Sequence, residues 1–396
     1  MSEPIISILI PVYNSSEFLY DSIPTVLNQT FNDIELVIVD DGSTDNSVEI
    51  LEEFAKSDSR IKIFTKENGG SASSRNMALR NATGKYIAFF DPDDFISDNL
   101  LELAYNSAIN NDTDMTIFKG DSFYGDRKIV ENRASFKLDQ DFRLDNYDNF
   151  TFDYKDIKHW VLNRDFAPWA KLYKKEFLDS YDDFVFDEGV AFEDVPFHIK
   201  AMLRAKKISF VNEQLYHWRC NNPKSVSKTA EFCYDIFKIM DLIYELLNKE
   251  GIFKEFELEY NIFQIGHGFS YILTANSDVY FNMAKERISK IDEEFVKKMT
   301  KRLKNQYDLI VSSENLDDFK INAIRDYTNQ INDLNRKVND LERDKSKIKS
   351  NLKNSKKENE KLKKDLDKLE KENKELLSSK SWKITKPLRK LGKSKK

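Results

Sequence analysis

The stretch Lys85 to Phe95, KYIAFFDPDDF, decides the fold of this chain, because a run of five apolar residues ends there in a cluster of carboxylates. The run from Tyr86 to Phe90 predicts a buried strand, with Asp91, Asp93 and Asp94 directly beyond it. In an open α/β sheet, ligands bind at the carboxyl ends of the strands, and two acids one residue apart suit a hard divalent cation. An acidic turn in which Asp94 caps the next helix is the alternative that this stretch leaves open.

Three further apolar runs precede this stretch, and each is followed by a helical pattern. The runs predict strands at Ile5 to Val12, Ile34 to Val39 and Ile61 to Thr65. The patterns between them predict helices from Ser16, from the turn at Asp45 through Phe54, and from Ser71 to Ala82. Strands that alternate with helices in this way predict an α/β fold with a mainly parallel sheet and right-handed crossovers.

The composition indicates an acidic, globular protein. Of the 396 residues, 40% are hydrophobic and 13% aromatic, which suffices for a sizeable core in two or three domains. The net charge is −6, but residues 380–396 contain eight Lys or Arg and no acid, which leaves −14 for residues 1–379. An acidic body argues against nucleic acid as a partner.

The two cysteines, Cys220 and Cys233, provide no disulfide framework and favour a reducing, cytoplasmic setting. The sequence contains no apolar run of 18 residues, so it predicts no membrane-spanning helix.

Four segments of the first half carry a family resemblance. They are SILIPVYN (7–14), VDDGSTD (39–45), NGGSASSRNMAL (68–79) and GKYIAFFDPDD (84–94). In this order and spacing they resemble the nucleotide-sugar half of family 2 glycosyltransferases, which have the GT-A fold. Three later segments resemble the acceptor half of the same family: APWAKLYKKEFL (167–178), GVAFEDVPF (189–197) and LYHWRCNNPKSVS (215–227). The resemblance covers about residues 4–228.

The resemblance implies a nucleotide site at the first two motifs. The backbone from Pro11 to Tyr13 and the side chain of Asp41 would hold the uracil and the ribose of a UDP-sugar. A carboxylate can accept a hydrogen bond from the N–H of the uracil ring. The sequence does not distinguish Asp40 from Asp41 in this role, and turn or cap duty for the pair stays open.

The resemblance also implies a divalent metal, Mn²⁺ or Mg²⁺, at the acidic stretch. Asp93 is expected as the direct ligand, and Asp91 as a metal ligand that lies nearer the ribose. The metal would neutralise the diphosphate of the donor. For Arg75, contact with the pyrophosphate and pairing with an acid of the site are both open.

On the acceptor side, the resemblance implies that Asp194 is the general base. It would take the proton from the acceptor hydroxyl as this attacks the anomeric carbon, and a single displacement inverts the configuration. An N-cap role for Asp194 is the alternative. Weaker predictions place Glu193, Trp169, Lys171 and His217 at the acceptor cleft, and a purely structural role stays open for each aromatic residue and for His217, which could also complete the metal site.

The C-terminal part reads as helical. Residues 231–310 carry apolar helical stripes, and a heptad repeat without interruption starts at Ile324. Position a holds Ile324, Ile331, Val338, Lys345, Leu352, Asn359, Leu366 and Asn373, and position d holds Tyr327, Leu334, Leu341, Ile348, Ser355, Leu362, Leu369 and Leu376. This pattern predicts a parallel coiled-coil homodimer, and a solvated single helix is the alternative.

The last residues combine cations with apolar side chains. Trp382, Ile384, Leu388 and Leu391 lie among the eight Lys and Arg, a pattern typical of contact with an anionic membrane surface. A disordered basic tail is the alternative. The expected location is cytoplasmic, with peripheral contact at the inner face of the membrane.

Together these features predict five segments: a nucleotide-sugar half (1–110), an acceptor half (111–230), a helical extension (231–320), a coiled coil (321–377) and a basic tail (378–396). The predicted activity is metal-dependent, inverting transfer of a sugar to a hydroxyl of a glycan, glycolipid or other cell-envelope acceptor. A scaffold that binds nucleotide or glycan without turnover is the first alternative. A nucleotidyltransferase that uses the same acids is the second.

Overall fold

The computed structural model describes residues 3–125, 129–135, 138, 142–144, 146–163, 166–220, 222 and 230–378. The predictions for the basic tail and for most of residues 221–227 therefore lie outside the described residues. The chain divides into two compact units, residues 1–320 and 321–396.

The first unit contains one mixed sheet. Its strands are β1 (Ile6–Val12), β2 (Ile34–Asp40), β3 (Ile61–Thr65), β4 (Tyr86–Phe89), β5 (Phe95–Ile96), β6 (Met115–Phe123), β7 (Ile129–Ser135), β8 (Thr151–Phe152), β9 (Lys171–Lys174) and β10 (Ile208–Arg219). The strand order is β3-β2-β1-β4-β9-β6-β10-β5, with β7 on β6 and β8 on β10. The four strands that the sequence predicts are present, with bounds that differ by one residue at most.

The sheet is parallel in its first half and mixed in its second. Strands β3, β2, β1 and β4 pair in parallel. Strand β9 then lies antiparallel between β4 and β6, while β10 returns to a parallel pairing with β6. The mainly parallel sheet predicted from the sequence is thus correct for the first four strands, whereas beyond them only the β6 and β10 pair is parallel among the described strands. A four-residue strand such as β9 leaves too little periodicity to predict its direction.

Helices cover this sheet and continue beyond it. They are α1 (Ser16–Leu27), α2 (Ser47–Ser57), α3 (Ser71–Asn81), α4 (Leu100–Asn111), α5 (Lys158–Val161), α6 (Lys175–Asp179), α7 (Asp194–Arg204), α8 (Asp235–Lys249), α9 (Phe253–Ala275), α10 (Asp278–Ile288), α11 (Glu293–Lys298), α12 (Lys301–Ser312) and α13 (Leu316–Ser378). The helices α8 to α12 lie within residues 231–320, the range for which the sequence predicts a helical extension. None of the helices in the described part of the chain combines the length and apolar character that a bilayer crossing requires.

Every residue of β2 is buried, including the acids Glu35 and Asp40, and the partners of Glu35 explain how its charge is tolerated. The Glu35 carboxylate accepts hydrogen bonds from Ser7 Oγ at 2.5 Å and from the Thr83 backbone N–H at 2.6 Å. Lys62 on β3 pairs with the same carboxylate. These partners lower the pKa of Glu35 although its burial, the largest single influence, opposes ionisation. The acid therefore ties β1, β2 and β3 together at the edge opposite the predicted site.

The helix α13 is continuous over 63 residues. The apolar side chains at its predicted a and d positions are exposed, from 46% for Tyr327 to 69% for Leu341. The helical part of the coiled-coil prediction is thus confirmed, while pairing with a second helix stays a prediction.

Candidate active site

The carboxyl ends of β1, β2 and β4 meet at one edge of the sheet because these strands are parallel neighbours. Tyr13 follows β1, Asp41 follows β2, and Asp91 lies just beyond β4. The backbone N–H of Asp41 donates to Val12 O at 2.8 Å, which joins the first two of these strand ends. The side chain of Tyr13 is 50% exposed at this edge. The strand order thus gathers the sequence motifs that the family resemblance singles out.

The adjacent acids Asp40 and Asp41 have different partners. The Asp40 carboxylate accepts from the backbone N–H of Gly42 and Ser43 and closes the turn after β2. The Asp41 carboxylate reaches across to the next motif, where it accepts from the N–H of Gly69 at 3.0 Å and of Gly70 at 2.7 Å. The geometry therefore separates two residues that the sequence could not distinguish: Asp40 has turn duty, and Asp41 connects two motifs.

Asp41 also pairs with a cation. Lys66 Nζ lies 2.6 Å from Asp41 Oδ1, and the Asp41 side chain is only 4% exposed. Gly70 adopts φ +88°, a conformation that suits glycine and turns its N–H towards the carboxylate. Asp41 is thus held by three protein donors at the position where the resemblance implies a contact to the nucleotide.

Arg75 on α3 connects the two halves of the site. Its Nη2 lies 2.9 Å from Asp91 Oδ1, and its Nη1 lies 2.7 Å from Glu193 Oε1. Ser71, one helical turn earlier, donates its hydroxyl to the same Glu193 oxygen. The guanidinium also lies 5.5 Å from the centre of the Phe186 ring. Of the two roles that the sequence left open for Arg75, the structure shows pairing with acids, and with two of them at once.

The charge of Arg75 is firmly fixed. Burial is the largest influence on its pKa and opposes the charged form, but the carboxylates of Asp91, Glu193 and Asp194 together raise the pKa. The guanidinium can therefore hold the end of β4 against the start of α7, residues that are about a hundred positions apart in the chain. A buried Arg with two carboxylate partners is a rigid connection, because the N–H groups of its planar guanidinium point towards both carboxylates in fixed directions.

Asp93 and Asp94 lie at the end of the acidic stretch and contact the end of β10. Asp93 Oδ2 accepts from Asn222 Nδ2 at 2.7 Å, and Asp93 O accepts from Arg219 Nε at 2.7 Å. Asp94 is buried and accepts from Tyr216 Oη at 2.7 Å and from the Arg219 N–H at 2.8 Å. Asp94 therefore fixes the loop in place, rather than capping the next helix.

Both acids are difficult to ionise. Burial, and secondly the negative charge of Asp91, raise the pKa of Asp93. Burial and the charges of Asp93 and Asp91 raise the pKa of Asp94 well above its usual value. Like-charged carboxylates that are this close and this poorly solvated are stabilised by a cation. Their chemistry therefore fits the divalent metal that the resemblance implies.

Tyr216 on β10 holds the acidic loop from Asp91 to Asp94 in place. Its hydroxyl donates to Asp94 and accepts from the Asp91 N–H at 3.1 Å. Its ring stacks on Trp169, with centroids 4.2 Å apart and planes inclined by 14°. Trp169, predicted at the acceptor cleft, is thus stacked behind the residue that positions the acidic loop.

Asp194 is the first residue of α7 and directly follows Glu193. Burial, then the neighbouring Glu193 charge, raise its pKa to about 6, although Arg75 acts in the opposite direction. Among the described residues, no other residue donates a hydrogen bond to its carboxylate. A partly buried carboxylate with a pKa near neutrality and an open acceptor position is suited to general-base catalysis.

Three of the four weaker acceptor predictions fall on buried residues, namely Glu193, Lys171 and His217. Lys171 is fully buried, and its Nζ donates to Ala167 O at 2.6 Å. His217 Nδ1 lies 2.6 Å from Asp121 Oδ1, and His217 Nε2 lies 3.0 Å from Ser97 Oγ. Both ring nitrogens are thus engaged by the protein. The structure gives His217 a structural role and does not favour it as a metal ligand.

The contributors that sequence reasoning missed include Ser71, Tyr216 and Arg219. Ser71 and Arg75 are four residues apart on α3, so their shared face was available as a signal. Tyr216 and Arg219 gave no such signal, because their partners Asp91, Asp93 and Asp94 lie more than 120 positions away.

The sequence of this chain is similar to those of known glycosyltransferases. The family model described as "Glycosyl transferase family 2" matches residues 7–181. Glycosyltransferase GlyG from Streptococcus pneumoniae is 33% identical over 222 residues, which are 55% of this chain and 71% of GlyG. Minor teichoic acid biosynthesis protein GgaA from Bacillus subtilis is 33% identical over 220 residues, which are 54% of this chain but only 46% of GgaA.

A solved structure shows the same fold. It is S. aureus TarS 1–349 in complex with UDP-GlcNAc, with a TM-score of 0.51 and 20% identity, covering 77% of this chain and 90% of that one. At this identity the likeness supports the fold alone. The family follows from the sequence matches: this chain is a glycosyltransferase and belongs to glycosyltransferase family 2.

Proposed function

We propose that this chain transfers a sugar from a UDP-sugar to a hydroxyl of a glycan or other cell-envelope acceptor, with inversion at the anomeric carbon. The observation that carries the proposal is the Asp194 carboxylate, which has a pKa of about 6 and no donor from another described residue. It lies next to the acids that Arg75 gathers at the end of β4. The UDP-GlcNAc complex of TarS and the teichoic acid biosynthesis in the name of GgaA support the donor and acceptor classes.

In the proposed reaction Asp194 takes the proton of the acceptor hydroxyl. The hydroxyl oxygen forms a bond to the anomeric carbon while the bond from that carbon to the diphosphate oxygen breaks. The nucleoside diphosphate leaves with the electron pair of that bond, and the proton stays on Asp194. Because attack and departure occur on opposite faces, one displacement inverts the configuration.

A divalent metal would be held by Asp93 and Asp91 and would neutralise the leaving diphosphate. In the part of the chain that the structure describes, no group of three or more His, Cys, Asp or Glu is arranged to hold a metal ion. This suits Mg²⁺ or Mn²⁺ bound by one or two carboxylates together with substrate phosphates. Arg75 would hold Asp91 in position, and Asn222 would orient Asp93.

The nucleotide would lie at the carboxyl ends of β1 and β2, near the backbone of Pro11 to Tyr13 and Asp41. Tyr13 is half exposed and offers a ring face to a base. The hydrogen bonds from Gly69 and Gly70 orient the Asp41 carboxylate. A uracil N–H would then be the fourth donor to this carboxylate.

The test is nucleoside diphosphate release from UDP-, GDP-, CDP- and dTDP-sugars with Mn²⁺ or Mg²⁺. Metal-dependent release from a UDP-sugar is expected in the wild type, with loss in Asp93→Ala and in Asp194→Asn. Asp33→Asn, at an exposed position, serves as the control. Release from another nucleotide class alone would contradict the UDP assignment, and full activity of Asp194→Asn would contradict the role of the base.

We also infer that the protein is a homodimer through α13. Its exposed a and d stripe runs from Ile324 to Leu376, and isolated amphipathic helices of this kind pair through such stripes. Analytical ultracentrifugation of the full chain should show a dimer. Replacing Leu341 and Leu362 by Lys should give a monomer, while Lys357→Glu, at the outer position f of the same heptad repeat, should not. A monomeric wild type at micromolar concentration would contradict the inference.

A further inference from the structure

The helical extension contains a cavity of about 570 Å³ that the proposed reaction does not use. Three helices line it with side chains spaced about one turn apart, among them Asp241 and Tyr244 on α8, Tyr260, Asn261 and Gln264 on α9, and Arg287 on α10. Stripes with this spacing normally bury apolar side chains between packed helices. Here the side chains of the stripes are largely polar, so the three helices leave a cavity between them instead of packing into an apolar core.

Two buried amides point to a ligand rich in hydroxyl groups. Asn261 is 7% exposed and Gln264 is 6% exposed. Gln264 Nε2 donates to Asn261 Oδ1 at 3.1 Å. Within the described residues, no other side-chain hydrogen bond engages Asn261 Nδ2 or Gln264 Oε1, which leaves one donor and one acceptor for a ligand. An amide pair of this kind recognises a hydroxyl group, since a hydroxyl both donates and accepts.

Aromatic rings provide the apolar part of the lining. Tyr244 is 46% exposed, and its ring centre lies 6.1 Å from that of Tyr260. The Tyr260 hydroxyl donates to Met240 O at 3.0 Å, so its ring is fixed. Aromatic faces beside amide groups match a sugar ring, which presents C–H groups on its faces and hydroxyls at its rim.

The charges exclude anionic ligands. The lining contains four carboxylates against two cations, a net charge of −2, from Asp241, Glu257, Glu286, Asp292, Arg287 and Lys290. Both cations are already paired, Arg287 with Asp241 at 2.7 Å and Lys290 with Glu286 at 2.9 Å. A nucleotide or phosphate would meet unfavourable potential here. Nor do the acids of this cavity form a metal-binding group in the described part of the chain.

We propose that this cavity binds one or two uncharged sugar units of the acceptor, distant from the hydroxyl that reacts. The proposal rests on the proposed function in that the acceptor is taken to be a glycan. A cavity of several hundred Å³ has the usual size of a small-ligand site. Its role would be to hold a growing or polymeric acceptor on the enzyme between encounters with donor.

The test is direct binding of neutral oligosaccharides to the full chain without donor, by ligand-observed NMR and calorimetry. Chitobiose, cellobiose and maltose are suitable probes. At least one should bind, and Gln264→Met, which keeps the length of the side chain but removes the amide, should weaken binding about tenfold or more. Tyr244→Ala at the exposed mouth should weaken it similarly. Leu273→Ala, also exposed on α9 but outside the lining, should bind like the wild type.

The outcomes separate this proposal from the proposed function. Absence of binding for all three sugars, or binding that both cavity variants leave unchanged, would overturn the carbohydrate site. Asp194→Asn should bind sugar normally while failing to transfer. Retained, cavity-dependent binding together with no nucleoside diphosphate release from any donor would support the sugar site and contradict the transferase reaction. Should Gln264→Met lower the melting temperature more than Leu273→Ala does, Tyr244→Ala decides, because its position is solvent-exposed.

Discussion

Asp41 in the nucleotide half is buried and Asp194 in the acceptor half is partly buried, and the two carboxylates differ in their hydrogen bonding. Asp41 accepts from Lys66, Gly69 and Gly70. Asp194 has no donor from another described residue, and its pKa is raised to about 6. The protein fills the acceptor positions of the Asp41 carboxylate, whereas the Asp194 carboxylate is costly to ionise and ready to accept a proton. The same residue type thus has three protein hydrogen-bond donors in one region and no donor from another described residue in the other.

The largest expected effect is on transfer by Asp194→Asn. The amide cannot take the acceptor proton, so the transfer rate should fall roughly 10²- to 10⁴-fold. Donor binding, measured by calorimetry with a UDP-sugar and metal, should stay within twofold of the wild type. A loss of donor binding equal to the loss of rate would show that Asp194 acts on the donor rather than on the acceptor.

The next largest effect is expected from Arg75→Met, which removes the connection between the two regions. It leaves Asp91 and Glu193 without their buried cation, so the free energy of unfolding should fall by about 3 kcal/mol. Urea unfolding measures it. Arg60→Met is the matched control, because Arg60 pairs with Asp58 nearer the surface and should contribute less. Equal losses in both variants would contradict a special role for Arg75.

Asp41→Asn tests how much the three hydrogen bonds to the Asp41 carboxylate contribute to stability. The amide nitrogen cannot accept from Gly69, Gly70 or Lys66, so at least one of these donors loses its partner. We expect a loss of about 1–3 kcal/mol in the free energy of unfolding at pH 7. Asp33→Asn, at an exposed position, should have no measurable effect in the same urea titration.

Asp194→Asn should raise the free energy of unfolding, in contrast to Asp41→Asn, which should lower it. The folded-state pKa of Asp194, about 6, lies above its ordinary value of 3.8, so the folded protein binds the proton more tightly than the unfolded chain does. This acid therefore reduces stability progressively as the pH rises from about 4 to about 6, and fully above that. The variant should be more stable than the wild type by about 1–2 kcal/mol at pH 7.5, and equal to it below pH 4.

The smallest effect expected is the pH dependence of transfer in the wild type. Because the base must be ionised, the rate should be level above the pKa of about 6 and fall about tenfold per pH unit below it. An initial-rate profile from pH 5 to 8.5 with saturating donor and metal measures this. A profile that stays flat down to pH 5 would show that the titration of Asp194 does not limit the reaction.

The sequence predicted the nucleotide half well because its signals are local. The apolar runs of β1 to β4 and the turn residues Gly69 and Gly70 each specify structure within a few positions. Arg75 could be assigned to the site, but not to its partners, because Glu193 lies 118 positions further along the chain. Lys171 shows the converse failure: a lysine in a family motif suggests an exposed contact, and only the packing around β9 reveals that it is buried.

The contact of Arg75 with Glu193 and Asp91 has a consequence for how this sequence can diverge. Losing Glu193 first would remove one partner of a buried guanidinium, and losing Arg75 first would leave two carboxylates facing each other. Either single step lowers stability, whereas a joint change to apolar residues avoids both penalties. Substitutions at positions 71, 75 and 193 are therefore expected to arise together across descendants of this chain, although Ser71 and Glu193 lie 122 positions apart.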